Sequence, residues 1–350
     1  MKLPTAYFQG PEGLLHERFG LAPDELYPGL RIAHRPGITM SQQENVDEAL
    51  DSINSAMVHY DEAYASHTSW KRPLVVSTLT LQRLIGMGSK SLGRRRRISR
   101  MDSVAMKKPV FGGDTLYAES EVLAVGPAQA QTTPVHLRTV GLNQHGQVVA
   151  ELVYHIDMWN RDCGPDLLPP GCSPATDPRF ASHHLRDDEA WVEQVGLYFE
   201  DLAPGESFVH WPRRSLYAEE TTRRVLRSLE MQPILHDLSL QAELLVGRPA
   251  VPETWVLTLA AAASTRTLGR VTANLGWTDI EFLEDVQIGD TLQSQSTILE
   301  TRASGSRPDE GIATVRTEAC NQRGQVVVRF QRTLLVYRSS APNPYADAGY

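Results

Sequence analysis

Three cysteines in 350 residues are too few for a disulfide framework, which points to a reducing compartment and makes the cytoplasm the expected location. No window reaches the roughly 18 consecutive apolar residues of a membrane span, and none is expected. The opening residues carry Lys2, Gln9, Glu12, His16 and Glu17 without an apolar run, so a signal peptide is not expected either. Excess positive charge is also missing. Lys+Arg 34 against Asp+Glu 42 leaves a net charge of −8, which argues against whole-surface attraction to nucleic acid or anionic lipid. Cys163, Cys172, His183 and His184 follow no familiar zinc spacing, so no metal is assigned, and no cofactor is called for. What is present, 41% apolar and 22% charged residues, suits a globular protein with a real core.

The chain repeats itself. Gly113-Asp114-Thr115-Leu116 returns as Gly289-Asp290-Thr291-Leu292, an offset of 176 residues from Asp114 to Asp290. Asn143-Gln144-His145-Gly146-Gln147-Val148-Val149 returns as Asn321-Gln322-Arg323-Gly324-Gln325-Val326-Val327, and His34 answers to His210. A period this long means duplication of a whole domain rather than a solenoid. The expected organisation is an extension over 1–20, a first domain over 21–160, a Pro-rich linker over 161–195, a second domain over 196–338 and a tail over 339–350. At about 30 residues, the connector is long enough to wrap the partner half and to be ordered by doing so.

Within each half, local patterns predict helices before strands. Ser41 with Glu44 at its fourth place is a capping-box arrangement that opens a helix. Residues 77–87 and 254–268 are largely apolar and start on hydroxyl residues, as buried helices do. Residues 114–125, 135–142 and 148–158 alternate like strands, with Asn-Gln-x-Gly as the turn between the last two. Long strands after one buried helix predict an α+β unit, an antiparallel sheet wrapped around that helix.

Helix first, long sheet afterwards, Gly-Asp-Thr-Leu at the entry to the sheet, and His59-x-Asp61-x-x-Tyr64-Ala65 before the helix together resemble the MaoC-like hydratases of the hotdog fold. The resemblance covers both halves and implies a double hotdog, two tandem hotdog domains. The runs Asn54-Ser55-Ala56-Met57-Val58-His59 and Ala273-Asn274-Leu275-Gly276-Trp277 are similar to mesaconyl-CoA (2-methylfumaryl-CoA) hydratases within that group. It implies reversible addition of water across the double bond of an enoyl thioester, with coenzyme A or an acyl carrier protein as the handle, and leaves open a homo-oligomer of double-hotdog chains.

That chemistry needs a base that activates water, an acid for the α-carbon, and donors for the enolate oxygen. The resemblance implies an Asp and a His five residues later sharing the water. His59 fits the histidine and Asp61 follows it, but Asn54 stands where the acidic partner belongs. An amide orients a water but moves no proton at neutral pH, so either His59 acts alone or this half only shapes a pocket. In the second half His236, preceded by Pro233, takes the equivalent place, and Glu230 is the acidic residue at about the right distance. The resemblance places the oxyanion donor, a backbone N–H at the start of the central helix, at Ser77; Pro252 and Glu253 occupy that region in the other half.

Arg94, Arg95, Arg96, Arg97, Arg100, Lys107 and Lys108 form one basic run, the candidate dock for the phosphates of coenzyme A. No aromatic interleaving accompanies it, so nucleic acid is not the expected partner. Arg72, Arg83 and Arg248 are candidates to meet a dicarboxylic acyl group. The competing readings are a hotdog thioesterase and a duplicated, catalytically weakened module that binds an acyl carrier.

Overall fold

A computed structural model of the chain describes residues 3–164, 168–244, 250–342, 344–347 and 350. In the first half five long strands form a sheet in the order Arg95–Met106, Val148–Trp159, Thr132–Asn143, Thr115–Val125, Arg31–Thr39. All these neighbours are antiparallel. Alternate residues Leu116, Ala118, Ser120 and Val122 turn inward and are buried, because side chains on a strand alternate between its faces. They enclose the helix Ser77–Met87, whose Leu79, Thr80 and Leu84 are buried. The helix lies close against the sheet at Gly141, where an added Cβ would sit 2.6 Å from a Leu84 methyl.

The second half repeats the plan with Val271–Phe282, Val326–Tyr337, Glu310–Cys320, Thr291–Ala303 and Ser207–Val209 around the helix Glu253–Ala263. The apolar stretch expected to be helical over 254–268 ends its α-helix at Ala263 and turns through a 3-10 helix, Ser264–Arg266, with the Ser264 hydroxyl donating to the Ala261 carbonyl at 2.7 Å. The strand Arg31–Thr39, which precedes the helices, was not expected, nor were two further strands, Arg95–Met106 and Val271–Phe282. The latter two are sheet edges exposed on most of their length, so they lack the alternation that marks a half-buried strand.

The halves exchange arms. Trp191–Glu193, near the end of the connector, runs parallel to Arg31–Thr39 and extends the first sheet. Leu15–Glu17, from the N-terminal region, runs parallel to Ser207–Val209 and extends the second. The connector is ordered by wrapping: Ser173–Pro174 pairs with Tyr7–Gln9, and the Ser182 N–H donates to the Pro4 carbonyl at 2.8 Å.

Each arm ends on a buried carboxylate that meets a histidine of the other half. Glu193 Oε1 lies 3.1 Å from His34 Nδ1, and Oε2 accepts from the Arg35 N–H at 3.0 Å. His34 Nε2 is 2.8 Å from the Ser120 hydroxyl, which continues the network to Thr139 and Tyr154. The copy at offset 176 is Glu17 with His210 at 3.0 Å, the Trp211 N–H at 2.8 Å, and Ser296 at 2.9 Å from His210 Nε2. Burial alone would raise the Glu193 carboxyl, but His34, Lys90 and His183 hold it down to about 2. Glu17 is lowered likewise, with burial opposed by His210 and Arg266.

A carboxylate whose folded pKa is depressed stabilises the fold above its unfolded value, near 4.5, and loses that contribution as pH falls toward 2. The urea midpoint is therefore expected to fall steeply as pH drops through this window. Removing one partner of a buried pair leaves the other uncompensated, so Glu193→Ala is expected to cost about 3–5 kcal/mol at pH 7. A variant with the wild-type urea midpoint would show that the arms are held by other contacts.

Candidate active site

The pieces that carry His59 and Ser77, the 3-10 turn Met57–His59 and the start of the central helix, are tied together by the helix Gln42–Asp51. Ser41 caps this last helix by accepting from the Glu44 N–H. Asn45, fully buried, joins all three. Its amide donates to the His59 carbonyl at 2.9 Å and to the Leu74 carbonyl at 3.1 Å, while its oxygen accepts from the Val76 N–H at 2.7 Å. One side chain therefore fixes the turn bearing the histidine relative to the helix N-terminus.

His59 is half-buried, and its Nδ1 lies 2.7 Å from the Leu74 carbonyl oxygen. A carbonyl only accepts, so Nδ1 carries the hydrogen and Nε2 of the neutral ring keeps its lone pair. That is the tautomer of a base. Ser77 is the first residue of the central helix after the cap position Val76. Its N–H belongs to the first turn, whose donors have no intrahelical acceptor and carry the positive end of the helix dipole.

The other first-half candidates have local structural partners. Asn54 accepts from the Ala56 N–H at 3.0 Å and shares no hydrogen bond with His59. Asp61 caps the helix Glu62–His67, its Oδ1 accepting from the Tyr64 N–H at 2.8 Å. The His-x-Asp-x-x-Tyr pattern is thus in part a helix-start signal.

In the second half the 3-10 turn Pro233–Leu235 repeats Met57–His59 at an offset of 176, so Leu235 stands at the place of His59 and His236 at that of Tyr60. The sequence equivalence of His236 with His59 is corrected by this register. The structure does not bring the Glu230 carboxylate to His236. Glu230 Oε1 accepts from its own neighbours, the Met231 and Gln232 N–H groups, and His236 Nε2 meets the Glu230 main-chain oxygen at 2.6 Å. Asn45 is answered by Thr221, which bonds within its own helix. Pro252 stands at the place of Val76 and Glu253 at that of Ser77. A cleft of about 530 Å³ opens there, lined by Ile234, Glu253, Glu284 and Asp285 among others. The first half carries Lys107 and Lys108 where the second has Leu283 and Glu284, so the two copies differ in charge along this stretch.

The four arginines of the basic run are not gathered into one cradle. Arg94 reaches the carbonyls of Asn160, Arg161 and Cys163 at 2.6, 3.1 and 2.9 Å and so anchors the start of the connector. Arg96 lies over the Trp159 ring, Arg97 pairs with Asp157 at 2.7 Å, and Arg95 is half-buried on the edge strand. A strand sends successive side chains to opposite faces, which is why a contiguous run cannot converge. Of the candidate cations for a dicarboxylic group, Arg72 stacks 3.8 Å from the Phe111 ring centroid and Arg83 pairs with Glu44. Arg248 lies outside the described residues. His183 is buried between the Ser91 and Ser182 hydroxyls at 2.9 and 2.8 Å, which explains its place beside the connector without a metal.

Two duplicated units, each an antiparallel sheet wrapped around one helix, define a double hotdog. Residues 175–349 match the family model for mesaconyl-CoA hydratase. The chain belongs to the mesaconyl-CoA hydratase family. It is 31% identical over 157 residues to a mesaconyl-CoA hydratase from Cereibacter sphaeroides, covering 43% of this chain and 44% of that one. It is 32% identical over 98 residues to an (R)-specific enoyl-CoA hydratase from Aeromonas caviae, covering 27% of this chain and 73% of the relative. The matched part spans less than half the length of the mesaconyl-CoA hydratases it resembles. A MaoC domain protein from Chloroflexus aurantiacus, described as a dehydratase, shares 19% identity at a TM-score of 0.41, covering 92% of this chain and 98% of that one.

Asn45→Ala would strand the Val76 N–H in a buried position and remove a donor from two carbonyls. An unsatisfied buried group costs about 1–3 kcal/mol, so a loss of that size in urea denaturation is expected. Asn45→Asp, which keeps the acceptor but not the donors, is not expected to restore it. Wild-type stability in both variants would remove Asn45 as the clamp.

Proposed function

We propose that the chain is an enzyme of the lyase type that adds water to, or removes it from, the double bond of an enoyl thioester, with His59 as the base and the start of the helix Ser77–Met87 as the oxyanion site. The observation that carries this reading is the 2.7 Å contact of His59 Nδ1 with the Leu74 carbonyl, which aims a basic Nε2 away from the main chain. Support comes also from the family of the chain and from relatives whose names are those of acyl-CoA hydratases.

In the hydration direction, His59 Nε2 takes a proton from water as the water oxygen bonds to the β-carbon. The electron pair of the double bond passes to the thioester oxygen, where the Ser77 N–H and the helix dipole stabilise the enolate. The imidazolium then returns its proton to the α-carbon, so one water is consumed and no co-reactant is needed. Asn54, half-buried five residues before His59, is placed in this reading as a water-orienting amide. The second-half cleft is disfavoured, because Glu253 stands at its helix start and Glu284 at its rim, both repelling an enolate and the phosphates of coenzyme A. Lys107 and Lys108 supply the opposite charge in the first half, and coenzyme A or an acyl carrier protein is the handle proposed to meet them.

The test is loss of enoyl-thioester absorbance on mixing with crotonyl-CoA or mesaconyl-CoA. His59→Gln is expected to lower kcat by about 10²–10⁴-fold, the usual worth of a general base. Ser77→Pro removes the peptide N–H while keeping the helix, since proline is tolerated at the first helical position and Val76 is already extended with ψ 127°. It is expected to cost about 10²–10³-fold in kcat, with Ser77→Ala near wild type. Turnover untouched by both His59→Gln and Ser77→Pro contradicts the assignment of the site. Thiol release without hydration would show a thioesterase instead.

A further inference from the structure

The outer face of the first sheet carries a cluster that the proposed reaction does not use. His136 on Thr132–Asn143 and His155 on Val148–Trp159 are direct cross-strand partners. Their rings stack in parallel, 4.0 Å between centroids and 4° between planes. Asp102 reaches them from the edge strand Arg95–Met106. Its Oδ2 lies 2.9 Å from His155 Nε2 and 3.2 Å from His136 Nε2, so one carboxylate oxygen faces both nitrogens. The contact with His136 lacks hydrogen-bonding geometry, and that buried nitrogen has no hydrogen-bond partner.

Two features show that the arrangement is built. The strand register skips between Met101 and Ser103, which makes Asp102 the extra residue of a β-bulge. A bulge re-aims a side chain, here onto the face of the two histidines. Arg100 Nε holds the other carboxylate oxygen at 2.7 Å, turning Oδ2 toward the imidazoles. The duplicated half provides the control, because Asp102 is answered by Thr278 at offset 176 and the His136–His155 pair by the cross-strand pair Thr314–Thr333 at offset 178, none of them a His or a carboxylate. The fold does not need this trio.

We propose that Asp102, His136 and His155 form a binding site for a divalent transition metal ion of the zinc class. Two nitrogens and one carboxylate oxygen are a ligand set such ions take, with bonds of about 2.0–2.2 Å that put ligands in a tetrahedral shell roughly 3.4 Å apart. The three ligand atoms lie within 4.8 Å of one another, so small side-chain rotations close the shell. Asp102 is exposed, which leaves the fourth position to water. The ion would join the edge strand to its two inner neighbours and staple the strand that bears the arginine run.

The experiment is calorimetric titration of the full chain, stripped with chelator, with ZnCl₂, beside the triple variant Asp102→Asn/His136→Gln/His155→Gln. One equivalent per chain is expected to bind wild type with a Kd at or below the micromolar range and to be lost in the variant. The single exposed change Asp102→Asn, checked by circular dichroism, is expected to weaken binding at least tenfold. Thermal unfolding is expected to rise with ZnCl₂ in wild type alone. Absence of binding to wild type, or the same stoichiometry and Kd in the triple variant, overturns the site.

Discussion

Two buried carboxylates hold this molecule together as one body. Glu17 and Glu193 each sit at the end of a short arm that belongs in sequence to one half and in space to the other, and each meets a histidine of the opposite sheet. Two ionisable groups taken out of water are costly unless every lone pair is satisfied. Here the second oxygen of each carboxylate accepts a main-chain N–H, and the far nitrogen of each histidine reaches a serine hydroxyl. The network converts an expensive burial into a specific lock, because a slipped arm would leave a bare charge inside. With the arms exchanged, neither sheet is complete without residues from the other half.

On that shared frame the copies have diverged at the start of the central helix. In the first half Asn45 ties the histidine turn to the helix, and the helix opens on Ser77. In the second, Thr221 serves its own helix, Pro252 removes one N–H, and Glu253 and Glu284 bring negative charge. The lock is conserved between halves while the chemistry-bearing corner is not. Duplication permits such divergence, since the shared frame must be kept in both halves for folding, while the proposed reaction asks only one corner to keep its groups.

Much of the fold was legible because two separate phrases recur at nearly one offset and because the inner strands alternate cleanly, Leu116 through Val122 being the plainest case. The edge strands were not, since Arg95–Met106 faces water on most positions and gives no alternation. His59 and Ser77 stand out in the sequence through the family pattern, but what orients them does not. Asn45 looks like any polar residue on an amphipathic helix, and only the fold shows it buried between two carbonyls and an N–H. His236 lay one residue from the true register, a distance that spacing alone does not resolve but a 3-10 turn does. Asp102, His136 and His155 come from three strands with a bulge between, so no local spacing announces them.

The central claim is that one half of a symmetric frame carries the working site. The most direct measurement is the stoichiometry with which the full chain binds a saturated, unreactive acyl-CoA analogue in calorimetry. One molecule per chain, lost in Ser77→Pro, is the result this account predicts. Two equivalent sites per chain, or one site indifferent to Ser77→Pro and abolished by changes around Glu253, would contradict it.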